Sequence, residues 1–152
     1  MDRSLSHLDR NPLLVNLLLI EDNPGDVRLI QEALSLVEIP LRLHIVENAS
    51  DALRFLRNQG DYQEAPKPGL IISDLNLPGI SGHDLLKEVK NDPKLVHIPF
   101  LIMSTSENED EVRETYNLQA SCYLSKPGDL DQYIEMIQTA LDFWVHIAAL
   151  PK

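Results

Sequence analysis

Four short apolar runs in this chain end on groups that can hold a cation or a phosphoryl group. Glu21 and Asp22 follow Leu17, Leu18, Leu19 and Ile20. Asp74 follows Leu70, Ile71, Ile72 and Ser73. Ser104 follows Phe100, Leu101, Ile102 and Met103, and Lys126 follows Cys122, Tyr123, Leu124 and Ser125. β-prone apolar runs of this length read as strands buried on both faces, the mark of a parallel sheet. Ligands of an open parallel α/β sheet bind beyond the carboxyl ends of its strands, so all four sets belong to one edge. Three carboxylates gathered there either shift their pKa values upward or hold a cation. A donor set made only of oxygens suits a hard ion, and Mg2+ takes one or two carboxylates together with waters and phosphate. Lys126 offers a compact positive charge to a phosphoryl oxygen, and Ser104 offers a hydroxyl donor. Such a carboxylate is a plausible phosphoryl acceptor, working by in-line transfer and charge neutralisation rather than acid–base chemistry. Taken singly these residues mean less: a turn cap for Asp74, an N-terminal acid pair for Glu21 and Asp22, a strand-end hydroxyl for Ser104.

The elements that must position these groups follow from spacing and from turn chemistry. Asn23 can cap a helix with Pro24 at its first position and Asp26 facing the dipole, and Val27, Ile30, Leu34 and Val37 keep helical spacing. Pro40 ends that element. Residues 41–46 alternate as a strand with Leu41, Leu43 and Ile45 on one face. Asn48 or Ser50 can cap a second helix carrying Ala52, Leu53, Phe55 and Leu56. Residues 59–69, with two glycines and two prolines, read as a long surface loop. After Asp74, the turn formers Pro78, Gly79 and Gly82 stop regular structure. A third helix over 81–90 turns Leu85, Leu86 and Val89 inward. An acidic helix over 107–117 has only a thin stripe, Val112 and Tyr116, and its acidic run reads as a solvated face. The last helix, 129–148, carries Leu130, Ile134, Ile137, Leu141 and Trp144 as one stripe, with Met136, Phe143 and Ile147 off it. The β-α pattern repeats five times, which implies a doubly wound five-stranded parallel sheet in a single domain.

Composition narrows the function classes. There are 24 acidic against 13 basic residues, a net charge of −11, which disfavours a nucleic acid or an anionic membrane surface as partner. The single cysteine, Cys122, rules out an internal disulfide, fits a reducing compartment and reads as a small core residue. No apolar run reaches the length of a membrane span, and the polar first residues carry no secretory signal. The expected location is the cytoplasm. The five histidines share no metal-ligand spacing.

Glu21-Asp22, Asp74-Leu75-Asn76-Leu77-Pro78 with Gly82 eight residues past the aspartate, Ser104-Thr105 and Lys126-Pro127 occur in this order over nearly the whole chain. Together they resemble the receiver domain of bacterial two-component response regulators, a flavodoxin-like (βα)5 fold. Residues 19–26, the Gly60-Asp61-Tyr62 loop, residues 105–110 and Phe143-Trp144 are similar to single-domain regulators that partner cyanobacterial phytochrome histidine kinases. The resemblance implies that Asp74 accepts phosphate from the phosphohistidine of a sensor kinase. Asp22, Asp74 and the backbone carbonyl of Asn76 would ligate Mg2+, with Glu21 acting through a metal-bound water. Lys126 would pair with the carboxylate and then with a phosphoryl oxygen. Ser104 would bond the phosphoryl group, and Tyr123 would be the aromatic switch that turns inward with it. It also implies a cis Lys126–Pro127 bond, against the trans default.

Three positions depart from the family's commonest pattern. Glu21 stands for an aspartate, Ser104 for a threonine, and Thr105 for a small residue beside the acceptor, where it could crowd the phosphoryl donor. The expected organisation is a flexible lead-in over 1–13 and a receiver over 14–150, with no output domain. Output would then pass through binding, or through relay to a downstream phosphotransfer or effector protein. Phe143, Trp144 and Ile147, helped by Val145 and Leu150, are expected to build a homodimer; the alternative is that they fold back on their own domain. Two rival functions use the same residues. One is a phosphorylation-independent adaptor. The other is a Mg2+-dependent aspartyl-phosphate phosphatase, weakened by Asn76 where such enzymes carry a second acid.

Overall fold

Leu17, Leu18, Leu19 and Ile20 are all completely buried, which a strand achieves only with packed layers on both of its faces. They belong to β1 (Val15–Ile20), an inner strand of a five-stranded, all-parallel sheet in a computed structural model that describes residues 14–151. The expected lead-in over 1–13 lies outside the described residues. The remaining strands are β2 (Leu41–Val46), β3 (Leu70–Asp74), β4 (Phe100–Ser104) and β5 (Cys122–Ser125), in the spatial order β2-β1-β3-β4-β5. The helices are α1 (Pro24–Ser35), α2 (Ala49–Leu56), α3 (Gly82–Lys90), α4 (Glu109–Asn117) and α5 (Leu130–Asp142). This is the flavodoxin-like, doubly wound arrangement that the sequence implies.

Alternation along the strands divides the core into two layers. Leu17, Leu19, Leu70, Ile72, Leu101 and Met103 meet Ile30 and Ala33 of α1 and Tyr133, Ile137 and Leu141 of α5. Leu18, Ile20, Ile71, Phe100 and Ile102 meet Ala52 and Phe55 of α2 and Leu85, Leu86 and Val89 of α3. Each such Leu or Ile, fully buried, stabilises by about 1.5–3 kcal/mol. That holds the strand ends rigidly enough to keep charged groups in place beyond them.

Several expectations are corrected. Leu130 is 62% exposed, and the inward row runs instead through Tyr133, Ile137 and Leu141. Leu130 is the first helical residue after the Asp129 cap, so it lies before the turn that first packs on the sheet. In α4, Tyr116 is exposed and Thr115 is completely buried. Thr115 tolerates this because its hydroxyl donates to the Glu111 carbonyl at 2.8 Å and meets His83 Nε2 at 2.6 Å. The final α-helix stops at Asp142 and continues as one π-helical turn, Phe143–Ile147. The loop over 59–69 includes a short 3-10 turn, Gly60–Tyr62. The described peptide bonds are all trans, Lys126–Pro127 included, as the roughly 0.5–1 kcal/mol preference of X-Pro bonds favours. Trp144 packs against the α1/α5 layer, and Val145 and Leu150 line a cavity of about 320 Å3 with Val15 and Gly69. That part of the tail folds back on its own domain, leaving Phe143 and Ile147 exposed.

Candidate functional site: an acidic cleft at the sheet's carboxyl edge

The strand order reverses between β1 and β3, and there the ends line up: Ile20 pairs with Ser73, and Asp74 with Met103. Glu21, one residue beyond β1, therefore lies beside Asp74, the last residue of β3. This is the topological switch point at which sheets of this kind bind ligands. At the other side, Ser104 pairs with Ser125, and the Lys126 amide donates to the Ser104 carbonyl at 2.7 Å. The sequence turns sharply after Asp74 because Gly82 closes against it. The Gly82 amide donates to the Leu75 carbonyl at 2.8 Å, and a β-carbon on Gly82 would stand 2.5 Å from the Asp74 carbonyl oxygen.

Carboxylate oxygens of Glu21, Asp22 and Asp74 lie within 4.8 Å of one another. Glu21 is completely buried, Asp74 nearly so, and Asp22 is exposed. Lys126 answers this charge. Its Nζ is 3.2 Å from Asp74 Oδ1, 3.0 Å from Glu21 Oε2 and 2.9 Å from Asp26 Oδ2, with only 6% of the side chain exposed. Burial pushes the Asp74 carboxyl above its ordinary value; Lys126 opposes this, while Asp22 and Asp26 add to it. Burial likewise raises Glu21, against Lys126 and with Asp74. Burial alone would lower Lys126, but the bond to Asp26 and the charges of Glu21 and Asp74 outweigh it and raise its pKa. One cation among four acids leaves the cleft short of positive charge. The donors are all oxygens and open to solvent through Asp22, so they fit a hard divalent cation.

Asn76 and Thr105 line the same cleft, of about 520 Å3, with Asp22, Asp26, Asp74 and Lys126. Ser104 is completely buried. Its Oγ donates to Glu111 Oε2 at 3.1 Å and accepts from the Ser106 amide at 3.1 Å. Tyr123 is half-buried, and its hydroxyl lies 2.6 Å from the Ser106 carbonyl oxygen and 2.5 Å from the same Glu111 Oε2. The structure thus brings Glu21, Asp22, Asp74 and Lys126 into one cluster and sets Ser104 and Tyr123 together beside it. Phe143, Trp144 and Ile147 are remote from it in the chain, at the end of α5.

A family model for the response regulator receiver domain matches residues 17–138. The chain belongs to that family. Over 143 residues this receiver is 41% identical to response regulator Rcp1 of Synechocystis sp. (strain ATCC 27184 / PCC 6803 / Kazusa), covering 94% of this chain and 97% of the relative. Its structure matches that of the Mn2+-bound form of Rcp1 with a TM-score of 0.86 at 40% identity, over 91% of this chain and 99% of the other. A phosphorylated cyanobacterial phytochrome response regulator, RcpA, matches with the same TM-score, identity and coverage. Receiver domains bind Mg2+ at an acidic site of this kind, and they are in general not catalytic enzymes.

Two residues of the site escape a reading of the sequence. Asp26 reads there as a helix-dipole acid, yet it makes the shortest of the three contacts to Lys126. Glu111 reads as part of a solvated face, yet it is half-buried and joins Ser104 to Tyr123. Both occupy the third helical position after an Asn cap, Asn23 for α1 and Asn108 for α4. That shared position, directly after a strand that ends in the site, is the signal that could have found them.

Proposed function

We propose that this receiver accepts a phosphoryl group on Asp74 from the phosphohistidine of a sensor histidine kinase and signals by phosphorylation-dependent protein binding. The observation that carries the reading is a nearly buried carboxylate at the switch point, 3.2 Å from Lys126 and grouped with Glu21 and Asp22. A carboxylate oxygen of Asp74 attacks phosphorus in line, the P–N bond breaks as the P–O bond forms, and the leaving imidazole takes a proton. Lys126 moves from sharing Asp74 to pairing with a phosphoryl oxygen, keeping Glu21 and Asp26 as anchors. Asp22, Asp74 and the carbonyl of Asn76 would hold Mg2+, with Glu21 acting through a bound water. When bound, the ion neutralises the charge on the phosphoryl oxygens. Ser104 donates to the new group and Tyr123 follows as the switch. Thr105, exposed at the cleft, limits how large a donor can approach.

The test is intact mass after incubation with acetyl phosphate and Mg2+. The wild type gains one phosphoryl group only when Mg2+ is present, and Asp74→Asn gains none. Uptake by neither would overturn the reading in favour of a phosphorylation-independent adaptor.

The likeness to RcpA, a cyanobacterial phytochrome response regulator, supports a phytochrome-type kinase as the donor, with a downstream phosphotransfer or effector protein receiving the signal. The domain then works as a stand-alone regulator over 14–150. Among the described residues no helix is long and apolar enough to cross a membrane, which accords with a cytoplasmic site of action. Phe143 and Ile147, exposed at the end of α5 beside the half-buried Trp144, support a homodimer through that turn. Sedimentation of dilute protein, with and without phosphorylation, checks this; a 17 kDa species under both conditions sinks it.

A further inference from the structure

A serine hydroxyl has one hydrogen to give. In this structure the hydrogen of Ser104 goes to Glu111 Oε2, at 3.1 Å, while its lone pair takes the Ser106 amide. The same carboxylate oxygen lies 2.5 Å from the Tyr123 hydroxyl, whose one hydrogen it shares with the Ser106 carbonyl oxygen at 2.6 Å. One atom on α4 therefore joins the end of β4 to the aromatic ring on β5. Glu111 is free to do this because its usual local partner is occupied elsewhere. An acid at the third helical position commonly bonds back to the cap amide, but the Asn108 amide donates instead to Ser106 Oγ at 3.1 Å. The turn that carries Glu111 is fixed from behind. Its carbonyl accepts from Thr115 Oγ1, whose own acceptor side meets His83 Nε2 of α3.

We propose that Glu111 is a positioning residue that holds Ser104 and Tyr123 in their unphosphorylated arrangement. A phosphoryl group on Asp74 must draw the Ser104 hydrogen away from it. This rests on the reading of Asp74 as acceptor. As Ser104 turns, Glu111 Oε2 loses one of its two donors and its hold on Tyr123 is released, so occupancy at Asp74 reaches β5 through a single oxygen. Because the contact exists only before phosphorylation, it biases the equilibrium toward the unmodified state.

The test uses the full chain labelled with 3-fluorotyrosine, the Tyr123 resonance being assigned by its loss in Tyr123→Phe. Glu111→Ala introduces a strong helix former at a half-buried helical position, and its melting curve verifies the fold. The fluorine resonance of Tyr123 should shift in Glu111→Ala before any phosphate is added. The acetyl phosphate concentration giving half-maximal uptake with Mg2+ should fall about tenfold, the effect of one charge-assisted hydrogen bond. Glu111→Gln, which keeps the shape without the charge, should fall between. In a Ser104→Ala background the Glu111→Ala change should lower the half-maximal concentration by clearly less than in the wild type, because one of the two contacts it removes is already gone. An unmoved resonance overturns the proposal. So does an unchanged or higher half-maximal concentration, or an equal effect with and without the Ser104 hydroxyl. If the wild type takes up no phosphoryl group, the acceptor reading fails, and the Tyr123 resonance of Glu111→Ala alone decides: a shift supports the hold of Glu111 on Tyr123, and no shift overturns it.

Discussion

Four helices of this receiver begin alike and are used in two ways. Each has an Asn or Ser cap and an acid at its third helical position: Asn23 and Asp26 in α1, Asn48 and Asp51 in α2, Ser81 and Asp84 in α3, Asn108 and Glu111 in α4. In α2 and α3 the acid turns back to its own cap. Asn48 Nδ2 donates to Asp51 Oδ2 at 3.1 Å, and Ser81 Oγ donates to Asp84 Oδ2 at 3.1 Å. In α1 and α4 the acid reaches across, Asp26 to Lys126 and Glu111 to Ser104 and Tyr123. In α1 and α4 the cap amide also has a partner outside its own helix start. It donates to Glu21 Oε1 at 3.1 Å in α1 and to Ser106 Oγ in α4, so the acid there is not needed for capping. One local device thus stabilises a helix start in one pair and supplies a site residue in the other.

Removing the cation that Asp26 reaches for should give the largest effect. Lys126→Met leaves Glu21, Asp74 and Asp26 without their shared partner, and breaking a buried ion pair costs about 3–5 kcal/mol. Denaturant unfolding at pH 7 should show a loss of that order. It should shrink as pH falls, and the sign follows from the raised carboxyls. Glu21 and Asp74 bind protons more readily folded than unfolded, so their burial weighs least on stability at acid pH and most once both are ionised. Gly82→Ala comes next, at about 1–3 kcal/mol, since a β-carbon 2.5 Å from the Asp74 carbonyl oxygen forces the backbone apart. Phosphoryl uptake should slow with it, because the displaced atoms belong to the acceptor. A double-mutant cycle between Asp26→Asn and Lys126→Met should then give coupling of about 1 kcal/mol or more, and the same cycle with Asp51→Asn should give none. Equal couplings would erase the distinction between the two kinds of helix start. The smallest effects belong to Asp51→Ala and Asp84→Ala. Each should cost about 0.5–1 kcal/mol in stability and leave phosphoryl uptake within twofold of the wild type.

Much of this was legible in the residue order. The strand runs ending at Glu21, Asp74, Ser104 and Lys126 could be placed at one edge because parallel strands buried on both faces leave a continuous apolar signal. Asn23 announced its helix by cap chemistry, and Asn48, offered together with Ser50, is the cap of the next. Leu130 and Tyr116 were misplaced because an amphipathic stripe read from a helix does not say which turn first meets the sheet. Thr115 and Tyr133 were passed over because a polar atom in a core is revealed only by its surroundings. Thr115 finds two partners, and the Tyr133 hydroxyl finds none among the described residues.

The sequence by itself determined the five-fold β-α order, the identity of the acceptor edge and the residues that end its strands. These depend on short-range periodicity and on the positional rule for parallel sheets, which need no coordinates. Only the tertiary structure decided how charge and hydrogens are shared there. Lys126 is about a hundred residues from both Glu21 and Asp26 in the chain, and Ser104, Glu111 and Tyr123 meet from three different elements. A carboxylate at the start of a helix has the same local sequence signature whether it turns back or reaches across. Which it does depends on what the fold brings within its reach, Lys126 for Asp26 and Ser104 with Tyr123 for Glu111, and that is settled only when the chain is folded.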